Sequence, residues 1–150
     1  MEAKTLRKIP WVLSVFYPLY VLVMEYIFCQ CSSRSFYTSH VGEELGPALM
    51  RVIIAALPFI TLGVFSYSKL KNPSSQNVNG ILVATLSVLF TSIALWGCIF
   101  CDAFTRRGGG ANIGLGILLF LSPLYLPFFM LLGFFLGKRY ACPAMNNGVS

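Results

Sequence analysis

Four apolar runs, separated by short polar segments, dominate the pattern of residues along the chain. The run at 81–101, ILVATLSVLFTSIALWGCIFC, contains neither a charged residue nor a proline. At about 1.5 Å per residue, a helix of this length extends about 31 Å, which matches the roughly 30 Å hydrocarbon core of a bilayer. The run therefore predicts a membrane-spanning helix.

The other three apolar runs each contain a proline near their centre. They are residues 11–29 with Pro18, 47–67 with Pro58, and 112–137 with Pro123. A proline inside a helix removes a backbone hydrogen bond and favours a bend. The pattern thus predicts an all-α integral membrane protein, in which residues 1–150 form one bundle of four transmembrane helices. We expect the proline-free third helix to be a straight post against which the three bent helices pack.

Small side chains recur along the third span at spacings of three and four residues. They are Ala84, Ser87, Thr91, Ala94, Cys98 and Cys101. The fourth span adds Gly133 and Gly137 in G-x-x-x-G spacing. Lipid gives little hydrophobic drive for helix association, so close backbone approach along small residues is a main source of helix packing. These residues are predicted to be helix-packing positions, and a homo-oligomer through the same faces is an alternative use of them.

Composition and charge distribution exclude several classes of protein. Hydrophobic residues make up 57% of the chain and charged residues 11%, whereas soluble domains have roughly 45 to 50% and about 25%. The net charge of +6 has no basic face with interleaved polar surface, so nucleic acid is not an expected partner. Basic residues in short loops are typical of the cytoplasmic side, which predicts that both termini are cytoplasmic. We expect a multi-pass protein of a bacterial inner membrane.

Glu25 and Arg51 are the first candidate functional residues. Both are expected near the outer edge of the membrane, where an unpaired charge is still costly. A gate, a proton-linked transport site or a docking site for a charged ligand would use such a pair. A structural ion pair between two helices is favoured, because a single pair lacks the chain of ionisable groups that a proton relay needs.

Four cysteines, Cys29, Cys31, Cys98 and Cys101, are predicted near the outer face, where a disulfide among them can form. Their placement resembles, in outline, the four-helix membrane oxidoreductases that exchange electrons between thiols and quinone. That resemblance implies a redox role for the outer cysteines. The reactive cysteines of that family lie in loops, whereas Cys98 is expected to be buried on the small-residue stripe. Structural packing, with one disulfide at most, is the favoured interpretation.

Two further patterns are candidate ligand sites. The cysteines with His40 contain no second C-x-x-C, so no metal site is predicted. The segment Arg106 to Gly110 ahead of Asn112 has neither a P-loop nor a G-x-G-x-x-G frame, so a hairpin capped by Asn112 is favoured over a phosphate site.

No set of catalytic side chains can be assembled from the sequence, and no cofactor is expected. The predicted function is therefore that of a non-enzymatic membrane protein that binds another membrane protein or a membrane-attacking toxin, as an immunity or accessory factor. One alternative is a small transporter or channel-like protein that uses Glu25 and Arg51. The other is a thiol-disulfide membrane oxidoreductase that uses the outer cysteines.

Overall fold

The structure is a computed structural model that describes residues 3–31, 45–71, 73–105 and 113–140. These residues form four α-helices. They are α1 (Ala3–Cys31), α2 (Leu45–Lys69), α3 (Ser75–Thr105) and α4 (Ile113–Arg139). Each helix is long and apolar enough to cross a membrane, and only 28 to 33% of each candidate span is buried within the chain. The predicted bundle of four transmembrane helices is confirmed, and the protein is a multi-pass integral membrane protein.

Two of the helices start earlier than the apolar pattern predicts. Helix α1 begins at Ala3 rather than near residue 11, and α3 begins at Ser75 rather than at residue 81. At α3 the cause is a helix cap, because the hydroxyl of Ser74 accepts a hydrogen bond of 3.1 Å from the backbone N–H of Asn77. The polar residues 75–80, predicted as loop, therefore form the first turns of α3.

The helices form two antiparallel pairs, α1 with α2 and α3 with α4, which make the most extensive contacts. Further contacts join α2 to α4, α1 to α3 and α2 to α3, whereas the described residues of α1 and α4 do not contact each other. Helix α3 was predicted to be the post against which the other three helices pack. Helix α3 does touch all three neighbours, but α2 does so as well, and together they form the short diagonal of the bundle.

The buried positions of α3 and α4 recur every four residues. The row on α3 consists of Gly80, Ala84, Val88, Ser92, Trp96 and Phe100, and the row on α4 consists of Ser122, Leu126, Met130 and Phe134. Rows of this spacing are the ridges that interdigitate in the commonest class of helix packing. The core also contains Ile81, Thr85, Gly133 and Gly137, so steps of four account for only part of it.

Proline occurs inside three of the four helices. The set is Pro10, Pro18, Pro58, Pro123 and Pro127. Proline has no N–H to donate to the carbonyl four residues earlier, and in lipid the freed carbonyl needs another donor. For Pro123 that carbonyl belongs to Leu119, and it accepts a 2.6 Å hydrogen bond from the hydroxyl of Ser122.

Candidate functional site

The contact between α3 and α4 is close because both helices carry small residues there. A Cβ placed on Gly133 would lie 3.1 Å from the Cα of Ala84, and one on Gly137 would lie 2.7 Å from the carbonyl oxygen of Asn79. Distances below 3.0 Å to backbone atoms force the backbone to shift. Gly133 and Gly137 therefore set the separation of these two helices, which is the packing role that G-x-x-x-G spacing predicts in membranes.

The predicted small-residue stripe of α3 does not stay on this contact. Ala84 is buried, Ser87 and Thr91 are half-buried, and Ala94, Cys98 and Cys101 are exposed. The 17 residues from Ala84 to Cys101 rotate a helix by about 100° less than five full turns. The stripe therefore lies against α4 at Ala84 and Ser87, and by Cys101 it has turned away from the direction of Ala84 by more than a quarter of a turn.

The part of the stripe that winds outward forms an exposed small-residue face on α3. It consists of the exposed stripe residues Ala94, Cys98 and Cys101, to which the half-buried Gly97 adds a fourth small position. A Cβ placed on Gly97 would meet nothing within 4 Å. The pairs 94–98 and 97–101 repeat the four-residue spacing of Gly133 and Gly137, but no helix among the described residues covers them. The sequence pattern missed Gly97, because it lies outside the alternating stripe.

The structure gives the cysteines different environments. Cys98 and Cys101 are exposed on α3, within a segment long and apolar enough to span a membrane. The expectation that Cys98 is buried was therefore wrong. The side chains of Cys29 and Cys31 lie outside the described residues, and a disulfide among the four stays a prediction. Within ranges 3–31, 45–71, 73–105 and 113–140, no three potential metal ligands come together.

Three further predictions fall outside the described part of the chain. They concern His40, the segment 106–110 and the cap at Asn112. Their placement stays a prediction, since the described residues begin again only at residue 113.

Glu25 and Arg51 occupy helix positions that lie level with each other. The rings of Tyr17 on α1 and Phe59 on α2 have centroids 5.0 Å apart. Glu25 follows Tyr17 by eight residues and Arg51 precedes Phe59 by eight, so on antiparallel helices both positions lie about 12 Å further in the same direction. Arg51 is half-buried, while the side chain of Glu25 lies outside the described residues. Their ion pair therefore stays a prediction.

Several hydroxyl groups are buried along the bundle. Those of Tyr17, Ser66 and Ser92 have no hydrogen-bond partner among the described residues. Ser66 lies near the end of α2, whereas Tyr17 packs on Phe59, seven residues or about 10 Å deeper along α2. The hydroxyls of Ser66 and Tyr17 therefore lie at different depths of the bundle.

One end of the bundle is basic. The described basic residues at this end are Lys4, Arg7, Lys8, Lys69, Lys71, Lys138 and Arg139. The acidic residues among the described positions, Glu25 and Asp102, lie toward the other ends of their helices. The guanidinium of Arg7 lies 4.3 Å from the ring centroid of Tyr67, a cation–π distance. We call this set of seven residues the basic end.

Two lysines of the basic end flank an aromatic pair between α2 and α4. The rings of Phe65 and Phe134 meet edge to face with centroids 5.1 Å apart. The Nζ of Lys69 lies 5.8 Å from the centroid of Phe65, and the Nζ of Lys138 lies 5.6 Å from that of Phe134. Two positive charges thus lie beside one pair of aromatic rings. This cluster of positive charge is suited to contact with a negatively charged membrane surface.

Comparison with protein-family models, with curated proteins and with solved structures finds no match for this chain. Two surfaces of the described structure are candidates for a function. They are the exposed small-residue face on α3 and the basic end.

Proposed function

We propose that the protein is a non-enzymatic membrane protein that binds a transmembrane helix of another membrane protein through the exposed small-residue face of α3. The observation that supports this proposal is the uncovered row of Ala94, Gly97, Cys98 and Cys101. In lipid, small side chains stabilise association only when another helix approaches closely. A row of them facing outward therefore suits an intermolecular contact.

The contact between α3 and α4 is an example of close helix packing through such a row. There, Gly80 and Ala84 face Gly133 and Gly137, and the helices approach closely. The exposed small-residue face offers the same spacing in the other half of α3, where none of the four described helices covers it. Phe90 lies four residues before Ala94 on α3 and is 76% exposed, so it would add apolar contact area for a partner. The partner that fits is a helix with small residues of its own.

More specifically, the protein is proposed to be an immunity or accessory factor that binds a membrane-attacking toxin or its membrane receptor. The structure describes four helices that are long and apolar enough to cross a membrane, which favours contacts within the bilayer as the basis of its action. A bacterial inner membrane is the proposed location. Binding of a second copy of the chain through the same face is the competing outcome.

A photocrosslinking experiment tests the proposal in living cells. A photoreactive amino acid at Ala94 should crosslink to a partner protein, whereas one at Leu124, which is 74% exposed on α4, should crosslink mainly to lipid. Adding Gly97→Leu should abolish the crosslink at position 94 with little loss of stability, because a Cβ at position 97 meets nothing within 4 Å among the described residues. Equal protein crosslinking at both positions would contradict the proposal.

The same experiment separates the two kinds of partner. A crosslinked product of twice the mass of the chain would mean that the face joins two copies. A product of another mass, identified by mass spectrometry and lost with Gly97→Leu, would support a heterologous membrane partner.

A transport role has one observation in its favour, namely the level positions of Glu25 and Arg51. Under that role, Glu25→Gln would abolish substrate movement in a protein that still folds. A thiol oxidoreductase would instead lose its function when all four outer cysteines are replaced by alanine. Under the proposed function, Glu25→Gln keeps partner binding, and so does replacement of Cys29 and Cys31 alone, which do not belong to the exposed small-residue face.

A further inference from the structure

An open pocket lies between α3 and α4 at the basic end. Its volume is about 170 Å³, and its lining consists of Asn79, Leu82, Val83, Leu136, Gly137 and Tyr140. The surface of this lining is mainly apolar. Gly137 belongs to this lining at the point where the backbones of α3 and α4 come close together.

Polar and apolar groups of the pocket are arranged by depth. Asn79 lies in the second turn of α3, and Tyr140 directly follows the last residue of α4. Val83 and Leu136 each lie four residues further into the bundle, which corresponds to about 6 Å. The side-chain amide and the phenol can therefore meet a polar head group while the deeper side chains contact a hydrocarbon chain.

The charge around the pocket favours an anionic occupant. Lys138 and Arg139 belong to the last turn of α4, between two of the pocket's lining residues. Among the described residues, no acidic side chain belongs to the basic end, so the positive charge there is not neutralised within the described chain. Basic pockets between transmembrane helices are suited to the phosphate groups of anionic lipids.

We propose that this pocket binds one anionic phospholipid. An acyl chain lies against Leu82, Val83 and Leu136. The lipid phosphate accepts hydrogen bonds from the amide of Asn79 and the hydroxyl of Tyr140, and Arg139 supplies the nearby positive charge. This inference is independent of the proposed partner helix, because the pocket lies at the basic end and the exposed small-residue face lies in the other half of α3.

Lipid retention by the purified full-length protein tests the inference. Native mass spectrometry should detect one retained phosphatidylglycerol, and phosphatidylcholine of the same chain length should be retained at least tenfold less. Leu136→Trp fills the pocket and should remove the retained lipid. The matched control is Leu124→Trp on the same helix, at a position 74% exposed outside the pocket. Equal loss in both variants would overturn the inference.

A second pair of variants separates a pocket from general surface charge. Arg139→Gln should weaken retention of phosphatidylglycerol several-fold. Lys4→Gln removes the same charge from the same end, but on α1, whose described residues do not contact α4, and should change retention little. Equal weakening would mean that only the overall positive charge attracts lipid, which would overturn the pocket.

Two further measurements remain informative if a bulky variant fails to fold. Tyr140→Phe changes one exposed hydroxyl and should weaken retention without loss of stability. Wild-type affinity in this variant, combined with wild-type affinity in Arg139→Gln, would overturn the inference. Inorganic phosphate at millimolar concentration should not displace the lipid. Displacement by phosphate alone would mean that the site recognises an anion and not a phospholipid.

Discussion

The hydroxyl of Ser122 donates a hydrogen bond of 2.6 Å to the carbonyl oxygen of Leu119. In a regular helix this oxygen would accept from the N–H of residue 123, but that residue is proline and has no N–H. Ser122 is buried, so water is not available as a substitute. We expect Ser122→Ala to lower the free energy of unfolding by about 1 to 3 kcal/mol, because a buried acceptor loses its donor. Unfolding by denaturing detergent in mixed micelles measures the change.

The cause of that loss can be isolated with a double-mutant cycle. Pro123→Ala restores an N–H to the carbonyl of Leu119, so the combined variant should lose less stability than Ser122→Ala alone. Thr61→Val is a control, because the hydroxyl of Thr61 bonds to a helix carbonyl that its own N–H already serves. Simple addition of the two single effects would show that the carbonyl is not the source of the loss.

The close contact of α3 and α4 predicts the second effect. Gly137→Ala would place a methyl group 2.7 Å from the carbonyl oxygen of Asn79, so the helices must separate. We expect a loss of about 1 to 3 kcal/mol, typical of an overfilled contact, in the same unfolding assay. Gly116→Ala on the same helix is the control, since its methyl group meets nothing within 4 Å and should not destabilise. Equal loss in both variants would argue against close packing at Gly137.

Two alanines of α3 give the third prediction. Ala84 is buried against α4, whereas Ala94 belongs to the exposed small-residue face. Ala84→Leu should therefore lower the free energy of unfolding by about 1 to 3 kcal/mol, while Ala94→Leu should leave it nearly unchanged. The sequence pattern alone predicts a loss for both, so the stability of Ala94→Leu distinguishes the two interpretations.

The level positions of Glu25 and Arg51 give the fourth prediction. If the two side chains pair, Glu25→Gln and Arg51→Gln should each lower stability, because each leaves one unpaired charge in the membrane. The double variant should recover part of the loss. The unfolding free energies of all four proteins complete the cycle. Independent effects of the two substitutions would exclude a direct pair.

The charge distribution gives a fifth prediction, on orientation. Cysteine labelling in intact cells should leave positions 76 and 150 protected on the cytoplasmic side and should label positions 39 and 109 from outside. Labelling of position 150 from outside would show that the termini lie on different sides or that both face outward.

The four helices could be predicted from the sequence because each spans the membrane with an almost unbroken apolar run. Their ends were less predictable. A hydropathy pattern reports which residues lie in lipid, but it does not report where the hydrogen-bonded helix stops. Ser74 illustrates the difference, because its cap starts α3 among polar residues that the pattern assigns to a loop.

The helix-packing residues could be predicted only in part. Gly133 and Gly137 lie at a close contact, and so does Ala84, which faces them. The outward position of Cys98 was not predictable, because whether small residues follow steps of 3.5 or of four depends on how two helices cross. That geometry is set by the partner helix and not by α3 alone.

The pairing of α1 with α2 and of α3 with α4 has a consequence for biosynthesis. Each pair consists of helices that are consecutive in the chain. Once the first 71 residues have been translated, both α1 and α2 are therefore available to form their interface. The first hairpin can be inserted and packed while the second is still being translated. Because the described residues of α1 and α4 make no contact, the last helix does not have to find the first one. Folding of the newly made chain therefore depends mainly on contacts between helices that are consecutive in the sequence.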